Sequence, residues 1–373
     1  MKKKCLIKEV SILLIVVLLL SSAGVLAANT TSQKVEIEGR IMSPTENTWY
    51  VPDDFGTIQG AIDSDLVKDG DTVFVRNGKY CEDIEIDKSI KLIGENRETT
   101  IIDANGEDYA VSIGTSYVVI RGFTIQGATG VGIVAYNPYG DPPVTNENTI
   151  TDNIITNNKY GLSLTRSSGN TITGNIITGN RRHGICLEGS SDNTISGNTI
   201  ENNEWAGIEL ASSSGNHILG NTIINNSIGI DIMSSSGNDI SGNTIENNGW
   251  KGIDLTFSSG NDILGNTIAN NNNEGIDLTS SSSNDILGNT ITNNTFGIAL
   301  WESSDNTIGG ATDDLKNTIS NNICGISIDS YSEGYSRTKL RENNKFNNNI
   351  FNIVGGSFSK SEYLPLDKLL PGC

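Results

Sequence analysis

From Asn148 onward, isoleucine and leucine alternate with polar residues in short bursts, and the bursts recur at a fixed interval. One copy reads Asn261-Asp262-Ile263-Leu264-Gly265-Asn266-Thr267-Ile268, then a polar turn, then Gly275-Ile276-Asp277-Leu278. The asparagines that open successive copies are Asn148, Asn170, Asn193, Asn216, Asn238, Asn261, Asn284 and Asn306, spaced 22 or 23 residues apart. Alternation at period two specifies strands with one face inward and excludes helical repeats. Three very short strands per copy, recurring at this interval, predict a stacked solenoid in which Ile lies on Ile and the sheets run along the axis. The expected fold class is all-β, a parallel β-helix.

Asparagine recurs at a second offset, in Asn153, Asn175, Asn198, Asn221, Asn243, Asn266 and Asn289. Stacked amides hydrogen-bond up and down a ladder and satisfy turn backbone that would otherwise be buried unpaired, so both asparagine columns read as structural.

Before the repeats, Phe55, Ile58, Ala61, Ile62 and Leu66 follow helical spacing and predict a short helix covering the open end of the solenoid. The next segments alternate as strands: Thr72–Val75, Ile84–Ile86, Ile90–Ile93 and Thr100–Ile102. Val118–Ile125 aligns with Asn170–Ile177, so the repeat begins there with Phe123 in the ladder position. A loop, Tyr136–Pro143, delays the next copy, and Gly310–Lys316 interrupts the eighth. Long loops on a regular solenoid are where binding specificity usually resides.

The first residues form a charged, apolar, small-residue series, Met1-Lys2-Lys3-Lys4, then Ser11–Leu20, then Ser21–Ala28, typical of a secretory signal cleaved after Ala27 or Ala28. The expected organisation is a signal peptide at 1–28, a polar leader at 29–50, a β-helix domain at 51–361 and a C-terminal cap or tail at 362–373. The apolar run is short for a membrane span, so no stable span is expected after cleavage, and the protein is expected to be extracellular, on the cell surface or periplasmic. The formal net charge is −19, and losing residues 1–27 removes four lysines and one glutamate, which leaves −22. That argues against nucleic acid and anionic membrane as partners. Cys81, Cys186, Cys324 and Cys373 lie far apart without C-x-x-C spacing, so no disulfide framework is expected.

The third strand of each copy carries the chemistry. Between its two buried residues stand, copy by copy, Ser163, Cys186, Glu209, Asp231, Asp254, Asp277 and Ala299. Regular stacking places the four carboxylates about 4.8 Å apart, where like charges call for a cation, a raised pKa or good solvation. A hard cation, Ca²⁺ first, fits oxygen ligands in this pattern and makes Glu209, Asp231, Asp254 and Asp277 candidate metal ligands. The alternative is that Asp simply recurs at a solvated position of a duplicated unit, as Asp239, Asp262 and Asp285 do on another face.

Catalysis would need asymmetry between neighbouring carboxylates, plus positive groups for an acidic substrate. His183, Glu188, Asp231 and Asp254 are the candidates, although the sequence does not fix catalytic residues. His183 reads either as a proton carrier or as a solvated turn histidine. Arg182, beside Arg181, suits bidentate pairing with uronate carboxylates. Trp205, Trp250 and Trp301 flank the same strand and suit the apolar faces of sugar rings, with turn packing as the alternative.

Two resemblances emerge from these residues. The opening segments Thr57-Ile58-Gln59-Gly60-Ala61-Ile62-Asp63, Gly70–Val75, Gly78–Ile84 and Ile90–Gly94 resemble the start of pectin-lyase-like right-handed parallel β-helix proteins. The N-T-I-x-G-N-T-I units resemble NosD-type repeats, found in carbohydrate-binding proteins and sugar hydrolases. The likeness spans about residues 51–355. It implies a right-handed helix and a polysaccharide or cell-surface glycan as partner, processed by a lyase, hydrolase or epimerase activity if the protein is an enzyme. β-Helix pectate lyases are similar in placing Ca²⁺-binding acids on an outer strand face. Motifs of particular enzymes do not carry over. Gly78, Tyr80 and Glu82 match the G-x-Y-x-E of pectin methylesterases without that family's paired catalytic Asp and Arg, and Asp141-Pro142-Pro143-Val144 departs from the D-P-H-D of alginate epimerases. The alternatives are a non-catalytic structural or adhesive surface protein and a NosD-like periplasmic accessory protein, the latter without a soft-metal cluster in the sequence.

Overall fold

A computed structural model describes residues 46–136, 145–329, 338–340 and 344–355. The signal, the loop at 137–144 and the tail at 362–373 lie outside the described residues. The chain winds into three parallel sheets, of 13, 12 and 12 strands. In a typical coil, sheet A takes Asp262–Leu264, sheet B takes Thr267–Ala269 and sheet C takes Glu274–Thr279. Every strand pairs with its counterpart one coil away, so Ile240, Ile263 and Ile286 stack in sheet A, Ile245, Ile268 and Ile291 in sheet B, and Ile253, Ile276 and Ile298 in sheet C. These isoleucines are fully buried and line one continuous core. Period two accounts for this, because a one-residue slip would turn every isoleucine to solvent.

The first described strand, Thr48–Val51, starts within the stretch expected to be leader and pairs with Thr72–Val75. That strand precedes the repeats and carries no period to reveal it. The expected helix is present but shorter, Ile58–Asp63, and buries Ile58, Ala61 and Ile62. Thr57 caps it by accepting from Gly60 N, and the Glu82 carboxylate accepts from Ile58 N and Gln59 N at 3.1 and 3.0 Å. Leu66 falls beyond the helix and is exposed.

Both expected asparagine columns form ladders. Asn243 Oδ1 accepts from Asn221 N and Nδ2, while Asn243 Nδ2 donates to Ile218 O at 2.8 Å and to Asn266 Oδ1 at 3.0 Å. Phe123 occupies the ladder position as expected, its N–H donating to Asn153 Oδ1. Two ladders were not anticipated. Asn158, Asn180, Asn203, Asn226, Asn248, Asn271 and Asn294 form a third amide column between sheets B and C. Ser190, Ser213, Ser235, Ser258 and Ser281 form a hydroxyl column after sheet C. Each buried side chain at a corner ties down backbone that leaves the sheet pattern there, at a net gain of about 1 kcal/mol per bond and a larger loss if unmade. At the corner entering sheet C, a Cβ on Gly207 would lie 2.6 Å from Ile223 Cγ2 and 2.9 Å from Gly229 O, so only glycine fits.

Candidate functional site

The outer face of sheet C carries a run of carboxylates with aromatic rings at its margins. Its middle outward column follows the expected order, with Cys186, Glu209, Asp231, Asp254 and Asp277 as successive register partners and Ala299 after them. Asp254 and Asp277 are not solvated, exposing only 7% and 3% of their surface. Lys251 explains how they remain there. Its ammonium lies 3.0 Å from Asp254 Oδ2 and also pairs with Asp277 Oδ2, one coil further on. Burial works to lower the Lys251 pKa, but the hydrogen bonds and charges of Asp277 and Asp254 outweigh it and hold the ammonium above its ordinary value. Burial raises the Asp277 carboxyl, with Lys251 opposing, and burial followed by Asp277 raises Glu274. The Ca²⁺ expectation finds no support at Asp254 and Asp277, where the negative charge already has a partner. A lysine of the chain takes the place between the two deepest carboxylates, and among the described residues no group of His, Cys, Asp and Glu comes together to hold a metal ion. The soft-ligand set for copper is likewise not assembled among these residues.

Asp231 is the unpaired member of the column. Burial, then Asp254 and Glu209, lift its carboxyl to about 6, with Lys251 opposing. Glu209 is engaged on its other side: Cys186 Sγ donates to Glu209 Oε2 at 3.0 Å, and His183 Nε2 lies 3.5 Å from the same oxygen. Burial and the Glu209 charge push the Cys186 thiol well above the usual range, so it stays protonated.

His183 is not the solvated turn residue the sequence allowed. It is 5% exposed, stacked on Tyr160 at 5.9 Å between ring centres and edge-on to Trp205 at 5.1 Å. Adjacent coils bring these rings together in register, and that alignment was available in the repeat spacing. Burial lowers the His183 pKa, Glu209 opposes and Arg182 adds, and Nδ1 has no hydrogen-bond partner. Arg182 lies 4.0 Å from the Trp205 ring centre and donates to Tyr160 Oη at 3.3 Å.

The tryptophans divide between the two margins of sheet C. Trp205 and Trp250 precede its strands, exposed by 45% and 47%, while Trp301 ends a strand on the opposite margin, exposed by 50%. Glu188 stands on the Trp301 side, in the column of Thr165 and Ala211, away from His183. A shallow concavity on the same face, toward the N-terminal coils, is lined by Tyr109, Tyr136, Ser163, Thr165, Arg166 and Glu188 among others. The second acidic column, Asp239, Asp262 and Asp285, lies on sheet A with His217 at its head, His217 Nδ1 being 3.8 Å from Asp239 Oδ2. Burial, then Asp285 and Asp239, raise the Asp262 carboxyl.

Two families match the chain: one described as right handed beta helix region, over residues 109–268, and one described as periplasmic copper-binding protein (NosD), over residues 225–361. Together with the three parallel sheets, these matches make the chain a right-handed β-helix repeat protein. No curated protein matches it. Among solved structures it is similar to the A-module of mannuronan C-5 epimerase AlgE6 from Azotobacter vinelandii, with 16% identity and a TM-score of 0.65 over 82% of this chain and 95% of that one. It is also similar to the Dettilon tailspike protein, with 17% identity and a TM-score of 0.65 over 80% of this chain and 68% of that one. A third is DFA-IIIase from Arthrobacter chlorophenolicus A6, with 14% identity and a TM-score of 0.54 over 72% and 77%. At these identities the shared property is the fold. No described helix is long and apolar enough to cross a membrane.

Proposed function

We propose that this is an exported protein that binds an extended polysaccharide or cell-surface glycan along the outer face of sheet C. One observation carries the reading: among the described residues, six of the seven exposed aromatic side chains (Tyr109, Tyr136, Trp205, Trp250, Phe257 and Trp301) lie on sheet C or at its margins. Rings set along a polar, nearly flat face suit sugar rings, which present apolar faces edged by hydroxyls. Arg182, held against Trp205 and Tyr160, presents a fixed polar group among them. The neighbours in fold add support, since one is a mannuronan C-5 epimerase and another is described in complex with DFA-III. Affinity electrophoresis through neutral, acidic and amino polysaccharides tests the reading. At least one polymer should retard the protein, and Trp205→Ala with Trp250→Ala, or Trp301→Ala, should abolish the retardation while circular dichroism stays unchanged. Free migration through every polymer rejects it.

A second reading, processing of the bound chain by a lyase, hydrolase or epimerase step, rests on Asp231. Its carboxyl is lifted to about 6 beside the hydrogen-bonded Glu209, the kind of asymmetric pair that acid and base roles require. Asp254 is the weaker candidate because Lys251 neutralises it. Incubation with each retained polymer, followed by assay of new reducing ends, unsaturated ends and inverted sugar units, decides between this and a purely adhesive role. An Asp231→Asn variant that works as fast as the parent excludes Asp231.

A further inference from the structure

Two coils of sheet C carry the same five residues with two replacements. Trp250-Lys251-Gly252-Ile253-Asp254 sets an ammonium three residues ahead of an outward carboxylate, whereas Trp205-Ala206-Gly207-Ile208-Glu209 sets a methyl there. In the first, Lys251 Nζ bridges Asp254 on its own coil and Asp277 on the next, with the Trp250 ring centre 4.6 Å away. In the second, the corresponding carboxylates are Glu209 and its register partner Asp231, and the column at Ala206 continues with Ile228. Among the described residues, no lysine therefore stands between Glu209 and Asp231. Asp231 takes part in no hydrogen bond among those that set its carboxyl, and Asp254, next in register and more than nine-tenths buried, keeps Oδ1 without a partner.

We propose that the neighbouring carboxylates of Glu209 and Asp231 bind a primary ammonium group supplied from outside, and that on a glycan they select hexosamine units carrying a free amine. This rests on the polysaccharide reading above and names the sugar chemistry for the same face. The chain shows the fit by example, since Lys251 demonstrates that an ammonium sits between two carboxylates stacked at this register. A compact ammonium with three donors satisfies two carboxylates directly, whereas Ca²⁺ asks for six to eight oxygens. Glu209 and Asp231 are partly exposed where Asp254 and Asp277 are buried, so a ligand can reach the first pair and not the second. Among the described residues, Lys251 is the cation whose charge bears on Asp231. A net charge of −19 draws a polycationic glycan toward the protein and repels a polyanionic one. An ammonium arriving beside Asp231 favours its ionised form and opposes the burial and neighbouring acids that raise it.

Calorimetric titration of the full chain at about pH 7, where Asp231 is mostly ionised, tests the inference. The probes are short glucosamine oligomers, N-acetylglucosamine oligomers of equal length and oligogalacturonate. Glucosamine oligomers should bind about ten-fold tighter than the acetylated ones, a preference that shrinks as salt is added. Ala206→Lys, which copies the Trp250 coil and pairs Glu209 and Asp231 with the chain's own ammonium, should erase the preference. Glu209→Gln, nearly identical in shape, should do the same, and it reads the site independently should the lysine variant fold poorly. Equal affinity for amine and acetylated oligomers, or a preference that survives both substitutions, overturns the amine site and leaves polysaccharide binding standing. Failure of every oligomer and polymer to bind overturns both readings.

Discussion

Lys251 Nζ lies 3.0 Å from Asp254 Oδ2, three residues ahead on the same coil, and the two residues expose only 10% and 11% of their side chains. A single lysine thus changes the character of the acidic column, from a solvated stripe to a covered ion cluster with Asp277 as its third member. Removing one partner from such a cluster leaves the others charged and buried.

Lys251→Met should therefore destabilise the protein by about 3–5 kcal/mol at neutral pH. The combined variant Lys251→Met, Asp254→Asn, Asp277→Asn should recover most of that loss, because no buried charge remains. Urea denaturation followed by circular dichroism measures both. A single variant as stable as the parent would show that the two carboxylates have another source of neutralisation.

Asp231 gives stability a pH dependence of definite sign. In an unfolded chain an aspartate titrates near about 4, whereas here burial and its acidic neighbours hold it at about 6. The folded state binds this proton more tightly, so the stabilisation is fully present below about pH 4 and is lost as pH rises through about 6. The gap corresponds to about 3 kcal/mol at most. Asp231→Asn should match the parent at acid pH and exceed it in urea midpoint at mildly alkaline pH. A variant less stable than the parent at alkaline pH would mean the carboxylate is held by a bound cation.

Asn243→Ala tests the ladders. The substitution strands Asn221 N–H, Ile218 C=O and one acceptor position on Asn266, all in the interior. At about 1–3 kcal/mol for each buried group left unpaired, the loss should reach about 3 kcal/mol or more. An unchanged melting temperature would mean that water replaces the amide.

Ile253→Asp places a carboxylate at a fully buried position of the sheet C column, at a cost of several kcal/mol. Coils depend on their neighbours, so hydrogen exchange should lose protection first in the coils on either side of Ile253 and later toward the two ends. Uniform loss along the chain would indicate a single cooperative unit.

The fold was legible because two periods coincide: alternation identifies Ile263, Ile268 and Ile276 as inward, and the 22- or 23-residue interval stacks them on their counterparts. The third asparagine ladder is equally regular but harder to read, because all but Asn180 among Asn158 and its successors sit in N-N pairs that resemble generic turn. The middle column of the site followed directly from register. The reach of a long side chain did not: Lys251 occurs in one copy only and acts across a coil boundary, which no spacing within a copy displays. The burial of His183 is hidden for the opposite reason. Taken alone its turn looks exposed, and only alignment with Tyr160 one coil before and Trp205 one coil after buries it.

The backbone bonds between coils and the amide-to-amide bonds of the ladders run from coil to coil along the solenoid axis, and the first and last described strands of sheet A lie at opposite ends of it. A pull applied through those ends therefore loads the coils in series, so that the outermost coil gives way first and extension proceeds by regular steps of one coil each. A force across the axis, such as a glycan dragged over sheet C would exert, is instead shared by many strands at once. The molecule is accordingly stiff under sideways shear and compliant in tension, the mechanical anisotropy of a stacked ribbon.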